Sequence, residues 1–291
     1  MPSTPVVVLD STLTDIANAI RSKTSGTATM KPGEMPAQIA AIPSGVGGGI
    51  PRAVDANGVY GVPTQSFAFS LPSNATDAAD YSLFYAFNGC TALTSADLGS
   101  LTTVSGAQAL NFAFNSCDNL SSIDFGSLTT VSGSSAFANA FSSCTRLTSA
   151  DFSSLVTVSG PSAFTNAFSG CIRLTSADFS SLATVSGSNA FSSVFNNCYN
   201  LTSVNFSSLT TVSENRAFAS AFRGCTRLTS LSFPALTASS FGSYTDQFDI
   251  MLKNVTGCTV HFPAAIQSTI GSWASVTNGF GGTNTTVLFD L

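Results

Sequence analysis

A block of 27 residues recurs six times without an insertion, and this period constrains the fold of the 291-residue chain more than any other feature. Each copy carries a cysteine, with a phenylalanine three residues before it and a leucine three residues after it. Because one copy is too short to bury an apolar face alone, the constant period predicts repeats that stack around a continuous core. The six cysteines are Cys90, Cys117, Cys144, Cys171, Cys198 and Cys225.

The first half of each copy predicts a short strand followed by a bend. In "LTSADF", Leu174, Ala177 and Phe179 follow the spacing L-x-x-L-x-L of leucine-rich repeats. Ala177 and Phe179 alternate with polar residues, as in a strand with one buried face. In the next segment, "SSLATVSG", we expect Leu182 and Val185 to point inward before a Ser-Gly turn.

The second half of each copy predicts a short helix. In "SNAFSSVFNNC", Phe191, Val194, Phe195 and Cys198 stand at i, i+3, i+4 and i+7, which forms one apolar stripe on a helix. We therefore predict an α/β repeat solenoid of six strand–turn–helix repeats over residues 83–237.

The cysteine and phenylalanine columns are interpreted as core rather than as a site. Each cysteine ends an apolar stripe and is expected to be buried and reduced. Stacked side chains point the same way, which disfavours disulfides, and a linear ladder does not converge on a metal ion. Fifteen of the 24 phenylalanines fall in three columns that begin at Phe87, Phe125 and Phe137.

The residues outside the period suggest caps and an anchor. Residues 51–82 carry an Asn-Gly turn signal and read as a hairpin or strand cap. Residues 238–291 read as a C-terminal cap with a strand at "CTVHF", a short helix and a closing strand at "NTTVLFDL". Glycines in residues 45–50 indicate a flexible linker, and residues 1–44 are a separate segment.

Residues 1–44 predict two short amphipathic helices. Together they are too small for a core of their own, so we expect them to dock on the rest of the chain, on other copies or on a partner. The docking residues predicted from helical spacing are Leu13, Ile16, Ile20, Met35, Ile39 and Ile42.

Composition and motifs argue against several functions. Charged residues make up only 9% of the chain, the net charge is −5 and no Lys/Arg cluster occurs along the sequence, so we expect no nucleic-acid partner. We find no secretory signal and no apolar run long enough to span a membrane. Catalytic motifs are absent, and the single histidine, His261, is expected to be structural. We therefore predict a protein that is not an enzyme, with no cofactor and no metal site.

One polar column is a candidate binding surface, because it should point outward from the predicted strands. It could bind a cation, a sugar or a basic patch on a partner. Alternatively, it is a solvated face whose aspartates and serines form local hydrogen bonds. The candidate residues are Asp97, Asp124, Asp151, Asp178 and Asn205, with Ser122, Ser149, Ser176 and Ser203 beside them.

The repeat "AFSSCTRLTSADFSSL" resembles the BspA-like class of bacterial leucine-rich repeats, which is marked by AF-x-x-C-x-x-L-T-S. The resemblance covers residues 83–237. The copies here are longer than is usual in that class, and Ser-Ser-Leu stands where the class often has a proline. The resemblance implies an adhesin-like role in binding protein or glycan, without catalysis.

The N-terminal segment "LTDIANAIRSKTSGTATMKPGEMPAQIAAI" resembles a segment of phage tail and other virion proteins, L-x-x-I-A-x-A-I-R-x-K-T-(G) followed by M-P-x-x-I-x-x-I. Here Ser25 intervenes before Gly26. This resemblance implies a virion protein that docks on other virion proteins through residues 1–44 and displays the solenoid to a host-surface glycan or protein. The alternatives are a bacterial surface adhesin and, less favoured, a glycan-degrading tail enzyme. The sequence leaves open a homo-oligomer, such as a trimer.

Overall fold

A computed structural model describes residues 66–291 apart from 72, 74, 274, 275 and 277, together with the short strands Val6–Val8, Ala53–Val54 and Tyr60–Gly61. The predicted docking residues, and with them the two anchor helices, lie outside the described residues.

The chain forms a parallel β-solenoid of about eight coils. A first set of strands begins each coil, and β1 (Val6–Val8) pairs in parallel with the first of them. This set comprises β4 (Phe67–Ser70), β5 (Leu93–Asp97), β7 (Ser122–Asp124), β9 (Ser149–Asp151), β11 (Ser176–Asp178), β13 (Ser203–Asn205), β15 (Ser230–Ser232), β16 (Thr259–Phe262) and β17 (Thr286–Phe289). They form three parallel sheets, β1-β4-β5-β7, β9-β11-β13 and β15-β16-β17.

A second parallel sheet runs along the solenoid where the sequence predicts only a bend. Each of its strands is a Thr-Val pair whose valine is buried, and equivalent residues of successive coils lie in register. The buried Leu182 and Val185 of this segment confirm the predicted inward positions. The strands are β6 (Thr103–Val104), β8 (Thr130–Val131), β10 (Thr157–Val158), β12 (Thr184–Val185) and β14 (Thr211–Val212).

The predicted helix of each repeat is wrong, because the chain forms a run of turns there. Backbone N–H groups alternate between two acceptors: Cys144 donates to Phe141 in the same coil (3.1 Å), whereas Phe141 donates to Ala167 in the next coil (2.8 Å). Every fourth residue has a positive φ, as at Asn139 and Ser143. Two of every four side chains point inward, which reproduces the spacing i, i+3, i+4, i+7.

Among the described residues, regular helix is limited to short segments near the C-terminus. They are α1 (Gln267–Ile270) and the 3₁₀ helices Ala238–Ser240, Ala264–Ile266 and Gly279–Gly281. The strands predicted at "CTVHF" and "NTTVLFDL" correspond to β16 and β17, which continue the parallel ladder beyond residue 237. The hairpin predicted in residues 51–82 corresponds to the antiparallel pair β2 (Ala53–Val54) and β3 (Tyr60–Gly61).

Three columns of stacked phenylalanine rings fill the core, as the period predicts. The rings of Phe141 and Phe168 lie 5.2 Å apart and nearly parallel, and those of Phe152 and Phe179 lie 5.1 Å apart. Between columns the rings meet edge to face, as for Phe152 and Phe164 at 5.4 Å. Both geometries are favourable for aromatic pairs, so one coil locks its neighbours in register.

The cysteines are free and buried beside this aromatic core, which confirms their structural interpretation. The Cys171 thiol donates to the carbonyl oxygen of Phe141 in the preceding coil (3.0 Å), and the same bond recurs along the column. Burial raises the pKa of the Cys171 thiol from its usual 9.0 to about 12, so it stays neutral at physiological pH.

A glycine column sets the spacing of the coils at the turn that follows the second sheet. A Cβ added to Gly160 would collide with the carbonyl oxygen of Gly133, and one on Gly187 would collide with that of Gly160. Only glycine permits this approach between backbones, which explains the repeated "VSG".

Candidate functional site

The outward face of the first set of strands, here called the strand face, carries the predicted polar column. Register pairs Asp97 with Asp124 on one sheet and Asp151 with Asp178 on the next. Asn205 continues the second ladder, and the predicted serines lie two residues before the acidic positions. The side chains of the column are exposed, except that Asp178 and Ser176 are half-buried. The structure therefore brings the predicted residues together in two ladders on separate sheets.

Each acidic residue also holds the turn that follows its strand. One carboxylate oxygen accepts the backbone N–H two residues later: Asp124 from Gly126 (2.7 Å), Asp151 from Ser153 (2.9 Å) and Asp178 from Ser180 (2.9 Å). Asn205 accepts in the same way from Ser207 (3.1 Å). This local hydrogen bond is typical of Asx turns, so part of the column has a structural role.

The second carboxylate oxygen of Asp124, Asp151 and Asp178 accepts no hydrogen bond from the described residues. Each of these three coils thus presents one free acceptor oxygen beside a serine hydroxyl, and the paired Asp151 and Asp178 stand at the strand spacing of about 4.8 Å. Such an array can accept hydrogen bonds from a ligand rich in hydroxyl or ammonium groups.

A shallow depression of about 440 Å³ lies at the N-terminal end of the strand face. Asp97, Asp124 and Ser122 line it, together with two further serines, Ser70 and Ser95. The Ser70 hydroxyl donates to the second carboxylate oxygen of Asp97 (3.0 Å). Ser70 lies 27 residues before Asp97, in the coil that precedes the six repeats, so extending the period back by one coil would have identified it.

His261 continues the strand face at its C-terminal end, in register with Ser232. Its Nδ1 lies 3.0 Å from both carboxylate oxygens of Asp290, which orients the ring. In the part of the chain that the structure describes, no group of three or more His, Cys, Asp or Glu side chains is placed to hold a metal ion. The described helices are also too short to cross a membrane.

Stacked coils that each begin with a short strand, packed around phenylalanine and cysteine columns, define a leucine-rich-repeat solenoid. The model of the family described as "BspA type Leucine rich repeat region (6 copies)" matches residues 69–194 and 165–259. The chain therefore belongs to the BspA-type leucine-rich repeat family.

Three solved structures are similar to parts of the chain. A leucine-rich repeat protein of T. pallidum is 22% identical over 56% of this chain and 78% of its own, with a TM-score of 0.33. One from Bacteroides ovatus is 19% identical over 76% and 62%, also with a TM-score of 0.33. A leucine-rich cell surface protein of Faecalibacterium prausnitzii is 16% identical over 76% and 78%, with a TM-score of 0.19. No curated protein matches the chain.

Proposed function

We propose that this protein is a non-catalytic binding protein whose strand face attaches to a component of a bacterial cell surface. The observation that carries the proposal is the free carboxylate oxygen that stands beside a serine hydroxyl in three successive coils of a rigid scaffold. A surface built this way suits a ligand that repeats, because these successive coils offer the same kind of acceptor. Membership of a family of repeat proteins supports this role.

The ligand that fits best is a glycan, since sugar hydroxyls are donors that match carboxylate and serine oxygens. A protein with a basic patch is the second candidate. The shallow depression beside Ser70 and Asp124 is the place where we expect a chain end or branch of the ligand to sit.

We further propose that residues 1–44 attach the solenoid to a phage particle, so that the strand face meets the host. The support is the N-terminal segment, whose pattern resembles that of virion proteins. The alternative is a bacterial adhesin on the surface of its own cell, which the family favours. Deletion of residues 11–44, which removes the predicted docking residues and keeps β1, separates the two: it abolishes incorporation into particles if the first holds, while incorporation of the truncated chain overturns it.

The strand-face proposal is tested with Asp124→Asn/Asp151→Asn/Asp178→Asn. Asparagine keeps the oxygen that accepts the turn N–H, as Asn205 does, but replaces the free acceptor by an NH₂ donor. We expect at least tenfold weaker binding to immobilised host-surface glycans or to whole host cells, measured on a biosensor or by flow cytometry.

The matched control is Glu214→Gln/Asp246→Asn/Asp249→Asn, which removes the same charge away from the strand face. Equal binding by both variants and the unmodified protein contradicts the proposal.

A further inference from the structure

Arginines that are far apart in the sequence come together along one edge of the solenoid. They lie where each run of turns ends, two residues after the buried cysteine or, for Arg223, two residues before it, and Ile172 and Tyr199 lie one residue after it. We call this surface the basic ridge. It comprises Arg146, Ile172, Arg173, Tyr199, Arg223 and Arg227.

Hydrogen bonds between coils show that these residues stack side by side. The Asn200 amide donates to the carbonyl oxygen of Ile172 (2.7 Å), and the Thr226 hydroxyl donates to that of Tyr199 (3.4 Å). The Arg227 guanidinium donates to the Asn200 side chain in the preceding coil (3.2 Å). At about 4.8 Å per coil, Arg146 and Arg227 stand roughly 14 Å apart along the solenoid axis.

The arginines of the basic ridge have no acidic partner in the described part of the chain. The ion pairs found there are Arg216–Asp249 and His261–Asp290, both outside the ridge. Asp118 bounds the ridge at its N-terminal end, in the column of Ile172 and Tyr199, and the aspartate ladder lies on the strand face. A chain with a net charge of −5 therefore concentrates unpaired positive charge on one surface.

Two large apolar side chains are exposed on the same ridge. Tyr199 is 47% exposed and Ile172 40% exposed. Tyr199 lies in the coil between those of Arg173 and Arg227, where Asn200 takes the place of an arginine. Arginine and tyrosine together on a rigid scaffold are the residues that dominate binding energy at interfaces.

We propose that the basic ridge binds a linear anionic polysaccharide that runs along the solenoid axis. Arg146, Arg173 and Arg227 contact its carboxylate or phosphate groups, for which the planar guanidinium is suited, and Tyr199 packs against a sugar ring in the gap. The spacing of one coil is close to the length of one sugar residue in an extended polysaccharide. A single exposed ring without a groove favours a glycan over a nucleic acid, which needs several stacking platforms.

The ridge is separate from the strand face and opposite in charge, so this proposal does not depend on the function proposed above. The two surfaces select different ligands, one by carboxylate acceptors and the other by guanidinium donors. If the strand-face proposal fails its test, the basic-ridge proposal is unaffected, and the reverse also holds.

The experiment measures binding of the full chain to sodium polygalacturonate and to poly(ribitol phosphate) by calorimetry, with neutral dextran as the blank. We expect at least one anionic polymer to bind, more weakly as salt rises, while dextran does not. Arg146→Gln/Arg173→Gln/Arg227→Gln should weaken binding by on the order of tenfold or more, because it removes three charge-assisted contacts.

Single substitutions supply the matched control. Arg173→Gln and Arg216→Gln each remove one positive charge, but only the first lies on the ridge, so only the first should weaken binding. Tyr199→Ala should weaken binding of the polysaccharide and leave binding of poly-L-glutamate unchanged. All these side chains are exposed, and unchanged thermal unfolding confirms that the fold is intact.

Three outcomes overturn the proposal. The first is equal binding by the Arg173→Gln and Arg216→Gln proteins. The second is tighter binding of oligo(dT) or of poly-L-glutamate, measured in the same way, than of either anionic polysaccharide. The third is binding of neither polysaccharide at low salt.

Discussion

Each aspartate of the strand face has a structural and an outward-facing oxygen, and substitutions separate the two. Asp151→Ala removes the acceptor for the Ser153 N–H and should lower the free energy of unfolding by about 1 kcal/mol. Asp151→Asn keeps that acceptor and should leave stability nearly unchanged. Urea unfolding followed by circular dichroism measures both. Equal losses for the two variants would show that the charge, rather than the turn hydrogen bond, stabilises the coil.

The outward direction of this column could be predicted from the sequence, because alternation with buried Ala177 and Phe179 determines it. The sequence also allowed the interpretation that the aspartates and serines of this column form local hydrogen bonds. It could not identify the backbone N–H groups of Gly126 and Ser153 as the partners, since that depends on the turn conformation after each strand. Ser70 could have been identified, because it stands 27 residues before Asp97 at the equivalent position of the preceding coil.

At the scale of the element, the run of turns explains why a helix was predicted where none forms. Over eight residues, a pattern of period four and one of period 3.6 place apolar residues at the same positions. The deciding interactions are hydrogen bonds to the next coil, such as Asn166 N–H to Ser192 (3.0 Å), and a window of sequence does not contain them. The first set of strands was predictable because its alternation of buried and exposed residues is local, whereas the two-residue strands of the second sheet were predicted only as a bend.

Substitutions of Asn166 distinguish the run of turns from a helix, because the two conformations predict opposite orders of stability for alanine and glycine at this position. Its φ is 55°, where alanine is unfavourable and glycine is not. We expect Asn166→Ala to lower the free energy of unfolding by about 1 kcal/mol and Asn166→Gly to be neutral or slightly stabilising. A helix would reverse the order, since alanine favours a helix over glycine by about 1 kcal/mol.

Thermal and urea unfolding of the two Asn166 variants, side by side, give the comparison. Ser192→Ala and Ser192→Gly serve as controls at a neighbouring position that is absent from the positive-φ residues. There alanine should be the better tolerated residue. Alanine more stable than glycine at both positions would contradict the run of turns.

At the scale of the whole molecule, stacking creates surfaces that no short window of the sequence shows. Arg146, Arg173 and Arg227 are separated by 27 or more residues, so no cluster is visible along the chain. The parallel register of successive coils places them on one ridge. The surfaces of a solenoid are therefore recognised by comparing equivalent positions of successive coils, whereas its core is recognised from the apolar pattern within each coil.

The buried cysteine column predicts how stability of the whole solenoid depends on pH. Burial raises the pKa of Cys171 and of Cys225 to about 12, and Cys258 is shifted in the same direction, whereas the unfolded chain releases these protons near 9.0. Between these values the folded state holds protons that the unfolded state has lost, so stability is full below about pH 9 and falls towards pH 12. Each such thiol should contribute a slope of about −1.4 kcal/mol per pH unit within that window.

Urea unfolding between pH 8 and pH 11 measures this slope. Cys171→Ala/Cys225→Ala should reduce it by the contribution of about two thiols, since all other side chains are the same in both proteins. Native thiols should also react with iodoacetamide far more slowly than those of the urea-unfolded chain, because the nucleophilic thiolate is suppressed by burial. Both measurements test whether burial keeps these thiols protonated in the folded state. A slope that the double substitution leaves unchanged, together with rapid native alkylation, would mean that the coils separate locally and expose the column without global unfolding, in which case the stacked core is less cooperative than its continuous packing implies.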